Sequence, residues 1–350
     1  EIRLSLVGSE MCIRDRNKGD KKSSLKNSYK VLARKYRPQN FEDLMGQEII
    51  VQTLKNAFKT NRIAHAYILT GVRGIGKTTT ARLLARSLNY ETDLINEPNI
   101  EMPEIGKHCE EIMESRHIDV IEMDAASRTG IEDIREIIDS INYSPSSARY
   151  KIYIIDEVHM LSKAAFNGLL KTLEEPPAHV KFIFATTEVQ KIPLTILSRC
   201  QRFDLRSFDN DMIRSLINKV CEKEMVSIDD QIINLIARAS GGSARDSLSL
   251  LDQAMALSTD GNISEEKIRQ MLGMSDQSRV IDLYEYISNT EIEKALLEVR
   301  DQIDIGTDPV NLIESLGDLI HELTRLKAVS YTHLRAHETK ANLVCRLLLE

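Results

Sequence analysis

The sequence has no long apolar run. Nothing in it approaches the roughly 20 consecutive apolar residues that a membrane-spanning helix needs, so no membrane partner is expected. A secretory signal is missing too, because the apolar residues around Leu4 and Val7 form too short a stretch and include Arg3. Cysteine is sparse and unpaired in pattern: Cys12, Cys109, Cys200, Cys221 and Cys345 are odd in number, scattered, and never arranged as C-x-x-C. That excludes a disulfide framework and suggests reduced thiols in a cytoplasmic protein. Excess positive charge is also lacking, since the formal net charge is -7. A chain that grips DNA tightly by itself is usually basic over at least one domain. Any contact with DNA is therefore expected to be weak and local, or shared with partners. There is no internal repeat and no low-complexity segment.

What is there is ordinary for a soluble globular protein: 350 residues, 42% hydrophobic and 28% charged, enough for two or three domains. Both ends break the pattern. Residues Glu1 to Asp20 follow no helical or strand period, and Tyr331 to Glu350 abruptly introduce His333, His337 and Cys345. Residues 1–27 and 329–350 are expected to be non-native or disordered flanks. Between them, apolar runs that read as strands (Ala66–Thr70, Asp119–Met123, Lys151–Ile155, Lys181–Ala185) alternate with helical stripes such as Ile131, Ile134, Ile137, Ile138 and Ile141. Such alternation predicts a parallel sheet covered on both faces. Near Phe208 the strand signals stop, and helical patterns continue to about Lys327.

Chemistry concentrates after the first strand. Gly71-Val72-Arg73-Gly74-Ile75-Gly76-Lys77-Thr78 fits G-x-x-x-x-G-K-[ST]. Glycines let the backbone turn tightly and aim N–H groups at phosphate oxygens, and the helix beginning near Lys77 adds its positive end. Lys77 is expected to reach the β- and γ-phosphates of ATP, the Thr78 hydroxyl to bind Mg²⁺, and Thr79 to follow on the first helical turn. Asp156-Glu157 closes a buried strand, and parallel strands bring their C-terminal ends to the nucleotide edge. Asp156 is expected to hold Mg²⁺ through its water shell, and Glu157 to orient and deprotonate the attacking water. Thr186 and Thr187 end a further strand, and spacing does not say which of them meets the γ-phosphate or the water.

Several longer stretches resemble one family. Arg34-Lys-Tyr-Arg-Pro-Gln-Asn-Phe-Glu-Asp-Leu-Met-Gly-Gln47, Gly168-Leu-Leu-Lys-Thr-Leu-Glu-Glu-Pro-Pro177, Ile196-Leu-Ser-Arg-Cys200 and Gly242-Ser-Ala-Arg245-Asp-Ser-Leu-Ser-Leu-Leu251 are similar, in unbroken order, to segments of the clamp-loader ATPases of the AAA+ class, the gamma/tau family of bacterial DNA polymerase III. The resemblance covers about Ser28 to Ala328. It implies that Tyr36, Arg37 and Pro38 lie near the adenine and that Thr186 or Thr187 is a first sensor. It further implies that Arg245 reaches the γ-phosphate from a lid, and that Arg199 reaches the γ-phosphate of a neighbouring subunit. Standing alone, either arginine would read as a helix-surface charge.

The implied fold is an α/β P-loop NTPase domain with a parallel sheet over 28–207, then an all-helical lid over 208–272, then a truncated helical collar domain over 273–328. The implied function is that of an ATP-driven motor subunit that opens a sliding clamp and loads it onto primed DNA. Its partners would be delta- and delta-prime-type subunits, copies of itself, the clamp, and primer–template DNA bound weakly through the assembly. No polymerising site is visible. Other AAA+ machines, such as a branch-migration motor or a remodelling ATPase, and a non-hydrolysing nucleotide-binding scaffold are the alternatives. One departure from the family stands out. Many members carry four zinc cysteines after the first helix, whereas Asn89 to His117 holds only Cys109, with His108 and His117 nearby. A structural zinc wants four ligands, so zinc is expected to be absent.

Overall fold

The computed structural model describes residues 29–127, 130–257, 265–272 and 277–328, and the expectations about the two flanks fall outside these described residues. Strands and helices alternate at first: α1 (Leu32–Lys35), α2 (Glu48–Lys59), β1 (Ala66–Thr70), α3 (Lys77–Leu88), α4 (Cys109–Met113), β2 (Val120–Asp124), α5 (Ile131–Ile141), β3 (Lys151–Asp156), α6 (Lys163–Glu174), β4 (Val180–Thr186), α7 (Leu194–Leu197) and β5 (Gln201–Asp204). Helices alone follow: α8 (Asn210–Glu224), α9 (Asp230–Ala239), α10 (Ala244–Ala256), α11 (Glu265–Met271), α12 (Gln277–Ser288), α13 (Ile292–Asp304) and α14 (Pro309–Ala328). No described helix is long and apolar enough to cross a membrane.

The strands form one parallel sheet in the order β2-β3-β4-β1-β5. Burial on both faces explains why β1, β3 and β4 are nearly continuous apolar runs, since a parallel sheet sandwiched by helices has no wet side. Alternate residues feed opposite layers. Tyr67, Leu69, Ile152, Ile154 and Ile183 pack with Leu54 of α2 and with Leu83, Leu84 and Leu88 of α3. Ala66, Ile68, Tyr153, Ile155, Phe182 and Phe184 pack with Ile134, Ile137 and Ile141 of α5 and with Phe166, Leu169 and Leu173 of α6. Helix α6 starts where Ser162 accepts the Ala165 N–H, a cap that stabilises it by about 1 kcal/mol.

The order places the site. β4 lies between β1 and β3, so the threonines that end β4 fall between the phosphate loop after β1 and the acidic pair after β3. Thr70 and Thr186 are in register across β1 and β4.

Beyond β5 the apolar residues gather in two further clusters. Ile213, Ile217, Ile232, Ile236, Leu248 and Leu251 form a core for α8, α9 and α10, and Leu32 of α1 is buried among them. The segment leading into the sheet thus anchors in the helical region, and its continuation is pinned as well: Gln47 Nε2 donates to the Arg206 carbonyl at 3.0 Å and Gln47 Oε1 accepts the Arg206 N–H at 3.2 Å. A small cluster of Val280, Leu283, Ala295 and Leu312 joins α12, α13 and α14.

Candidate nucleotide site

After β1 the chain turns through Gly71 at φ +142° and Gly74 at φ +78°, conformations that only glycine adopts without strain. Space demands glycine as well. A Cβ on Gly71 would lie 2.9 Å from the Leu205 carbonyl oxygen, and one on Gly74 would run into Ser243 Oγ at the head of α10. The loop is therefore wedged between β5 and the helical region. It ends at Gly76, the residue before α3, and the first N–H groups of α3 face the loop unpaired by the helix itself. Thr79 is buried in that first turn, Ile75 is buried beneath the loop, and Val72 and Arg73 are exposed at its tip.

Lys77 is 6% exposed, and its Nζ donates to the carbonyls of Gly71 and Val72, each at 3.0 Å. Burial draws its pKa down, and Glu157 and Asp156 oppose that. The ammonium therefore sits inside the curve of the loop with two carboxylates in its field.

Those carboxylates are organised by the ends of their strands. Thr78 Oγ1 donates to Asp156 Oδ2, and the Glu157 N–H donates to Asp156 Oδ1 at 2.9 Å. Glu157 adopts φ +46°, a left-handed conformation that is uncommon for a side-chain-bearing residue. This turn carries its carboxylate toward β4, where Oε2 accepts the Thr187 N–H at 3.2 Å and the Thr187 hydroxyl at 3.0 Å. Thr186 is fully buried, and its Oγ1 accepts the Glu188 N–H at 3.0 Å. The two threonines that spacing could not separate thus part company. Thr187 faces the acidic pair, and Thr186 faces inward. A cavity of about 470 Å³ opens beside the loop, bordered by Val72, Arg73, Ala126, Glu157, His159, Met160 and Thr187.

The remaining candidate residues lie at different distances from this centre. Arg245 meets the loop through its backbone, its N–H donating to the Gly74 carbonyl at 3.1 Å, while its side chain is exposed. Arg37 is half-buried, and its pKa is drawn down by burial and by the repulsion of Arg82, Arg34 and Arg245, with Glu122 opposing. That field places a concentration of guanidinium charge near α3. Tyr36 turns away toward α8, where its hydroxyl donates to Glu224 at 2.6 Å, and burial followed by that contact pushes its pKa up to about 12. Pro38 follows in the same segment. Arg199 is not gathered into the loop of its own chain. It donates to the Thr195 carbonyl and to Glu174 Oε1, both at 2.7 Å, on the outside of α6 and α7.

The span after α3 is closed by local hydrogen bonds, with ion pairs such as Lys107–Glu91 at 2.9 Å on its surface. The Tyr90 hydroxyl donates to the Glu104 carbonyl at 3.1 Å and accepts the Glu104 N–H at 3.2 Å, and the buried Cys109 Sγ accepts the Gly106 N–H at 3.2 Å. His117 Nδ1 accepts the Asp119 N–H, so its Nε2 carries the proton that meets His108 Nδ1 at 2.9 Å. Burial and then His108 lower the pKa of His117, which favours this neutral form. Among the described residues, no group of three or more metal-ligating side chains converges.

One side chain at the site escapes sequence reasoning. His159 stands behind Glu157, with Nδ1 3.0 Å from Thr186 Oγ1. Its only signal is position, two residues beyond the acid and next to an apolar run, which describes many structural histidines equally well.

A glycine-turned phosphate loop leading into a helix, with acids and threonines converging on it from adjacent parallel strands and a helical lid against it, defines a P-loop nucleotide-binding protein of the AAA+ type. Three family profiles cover the chain in succession: DNA polymerase III, delta subunit, over residues 46–209; DNA polymerase III clamp loader subunit, ATPase lid domain, over 212–260; and DNA polymerase III subunits gamma and tau domain III, over 263–344. The DNA polymerase III subunit tau of Escherichia coli K12 is 44% identical over 301 residues, 86% of this chain and 46% of that protein. The DNA polymerase III subunit gamma of Buchnera aphidicola from Schizaphis graminum is 42% identical over 86% of this chain and 82% of its own length. The chain belongs to the gamma/tau family of DNA polymerase III subunits. It spans about half the length of the tau relatives it matches. Among solved structures, the RuvB Holliday junction branch migration motor of Thermotoga maritima is similar at 19% identity over 73% of this chain and 80% of that one, with a TM-score of 0.49. A likeness at that level adds nothing to the fold already described.

Proposed function

We propose that this chain is an ATP-driven motor subunit of a replicative clamp loader, opening a sliding clamp and loading it onto primed DNA. The observation that carries the reading is the convergence of Lys77, the Thr78–Asp156 pair and the Thr187-anchored Glu157 at one phosphate loop. A scaffold that only bound nucleotide would need no carboxylate held this way.

In this reading Lys77 leaves its loop carbonyls for the β- and γ-phosphates of ATP, and the N–H groups of the loop and of α3 receive the remaining phosphate oxygens. Thr78 and Asp156 present hard oxygen donors side by side, the set that Mg²⁺ takes, and would hold it. Mg²⁺ supplies charge that neutralises the phosphates. Glu157 accepts the proton of the attacking water, and Thr187 keeps its carboxylate turned toward that water. Arg245 contacts the γ-phosphate from the lid, and Tyr36, Arg37 and Pro38 border the adenine side. Arg199 serves the neighbouring subunit. It is supported by the outward position of Arg199, whose partner Glu174 is 53% exposed, so the ion pair contributes little and can be exchanged.

Delta- and delta-prime-type subunits, further copies of this chain, the sliding clamp and primer–template DNA are the proposed partners, with the cytoplasm as the compartment. Zinc has no part in the reading. The experiment is ATP turnover in the complex with partner subunits, with and without clamp and primed DNA. Stimulation by clamp plus primed DNA is expected, and Arg199→Ala should lower it on the order of 10³-fold while the isolated chain binds ATP unchanged. Turnover indifferent to clamp and DNA would overturn the reading. Loss of ATP affinity in the isolated Arg199→Ala chain would overturn the assignment across subunits.

A further inference from the structure

His159 has no role in the scheme above, yet it is the most enclosed titratable group lining the cavity. Its side chain is 6% exposed, against 30% for Glu157 and 38% for Glu188. The ring sits between the ends of two strands. Nδ1 lies 3.0 Å from Thr186 Oγ1 and 3.4 Å from Glu157 Oε2, and Nε2 lies 3.4 Å from Glu188 Oε1. The Thr186 hydroxyl beside it is itself tied down, while Glu188 belongs to an exposed ion pair. The Thr186 hydroxyl accepts the Glu188 N–H, and the Glu188 carboxylate is held by Lys191 at 2.9 Å. Glu157, by contrast, stands on a left-handed turn outside any strand or helix ladder. Among the described residues, its carboxylate has two lateral supports: the Thr187 donors on one side and the His159 ring, at 3.4 Å, on the other.

Rate in a hydrolytic site depends on how narrowly the base is oriented, because an angular or sub-ångström error in the proton acceptor is paid directly in barrier height. A ring braced by Thr186 gives Glu157 a rigid backstop. Thr187 alone, half-buried at the cavity edge, would leave the carboxylate a hinge. We propose that His159 is a positioning residue for ATP hydrolysis: wedged between the ends of β3 and β4, it holds the Glu157 carboxylate in the orientation that Thr187 also fixes, and it acts through Glu157 without touching nucleotide. The inference rests on the reading of Glu157 as the base.

The test is steady-state ATP turnover by the full chain in its complex with partner subunits, clamp and primed DNA. His159→Ala is expected to lower kcat about tenfold and to leave KM and nucleotide affinity within about twofold. His159→Gln, whose amide can still reach Thr186 and Glu157, should recover much of that loss. In a Glu157→Gln background, adding His159→Ala should lower the residual rate no further, since its route of action is already gone. Three results overturn the proposal: an unchanged kcat in His159→Ala, losses that multiply in the double variant, or a fall in nucleotide affinity and thermal midpoint together without a kcat-specific effect. If the unmodified complex hydrolyses no ATP, the reading of Glu157 fails and takes this inference with it. Normal turnover combined with any of the three results removes the His159 role alone.

Discussion

The two ends of α3 are both irregular, and they differ in where their polar groups point. At the N-terminal end, Gly71 to Thr78 turns its backbone N–H groups and the Lys77 ammonium inward toward a shared centre, and two carboxylates face the same centre from β3. At the C-terminal end, Asn89 to His117 uses its polar groups on one another. Tyr90 closes on Glu104, Cys109 on Gly106, and His117 on His108. Just beyond, the buried Asp119 accepts the N–H groups of Ser146, Ser147 and Ala148 at 2.8 to 2.9 Å, and these bonds outweigh burial and hold its carboxyl below the usual range. A loop whose donors converge on open space is built for a ligand, and a loop whose donors satisfy each other is built to stay folded. The first kind gathers its charges around one centre, and the second pairs its charges with near neighbours at the surface, as Lys107 does with Glu91.

The sharpest way to break that contrast is to substitute at each end and compare binding with stability. Lys77→Ala should reduce ATP affinity by more than about a hundredfold, because the phosphates lose their buried point charge. The same variant should keep its thermal midpoint, since desolvating Lys77 costs stability in the free protein. Near-normal affinity for a fluorescent ATP analogue would show that the loop is not the phosphate site. Asp119→Ala should do the reverse. It removes the buried acceptor shared by the N–H groups of Ser146, Ser147 and Ala148 and should cost about 2 kcal/mol in denaturant unfolding, with ATP affinity intact once folded. Tyr90→Phe removes one hydroxyl that both donates and accepts and should cost about 1 kcal/mol by the same measurement. A chelator should have the smallest effect of all. Since Asn89 to His117 closes through hydrogen bonds, prolonged EDTA treatment is expected to leave the thermal midpoint of the purified, nucleotide-free protein where it was. A drop of several degrees, or one zinc per chain by metal analysis, would mean that the span is held by metal after all.

How far each end could be read beforehand follows from the same contrast. The phosphate loop was fully legible, since glycines at fixed spacing before a lysine and a threonine have few other uses. The strands β1, β3 and β4 were legible to within a residue or so because burial on two faces leaves an unmistakable apolar run. β5 was not anticipated. Gln201–Asp204 has a single buried residue, Phe203, and its place beside β1 comes from pairing rather than from pattern. The strand order was equally hidden, and with it the fact that β4 would deliver Thr187 to Glu157. Helix α4 and the contact between His108 and His117 were not foreseen, because an irregular loop leaves no periodic signal; the two histidines stand out in the sequence only as possible metal ligands. Leu32 looked like part of the sheet domain by proximity in sequence, yet it is buried with the helices after β5. The roles proposed for Arg199 and Arg245 came only with the family resemblance, since an exposed arginine has no signature of its own.

The left-handed turn at Glu157 has an evolutionary side. At φ +46° a glycine would rest without strain, whereas a glutamate is held there at a cost of about 1 kcal/mol or more. The acid therefore sits against the preference of its own backbone, and under the proposed role of Glu157 as the base it is selection for turnover that would keep it in place. In a duplicated copy freed from that selection, Glu157→Gly would abolish hydrolysis while relaxing the turn, so loss of activity and gain of robustness would arrive in one step. Assemblies built from several related chains would then drift toward mixtures of working and silent members with no advantage to silence itself, simply because this position makes retirement from catalysis the downhill path.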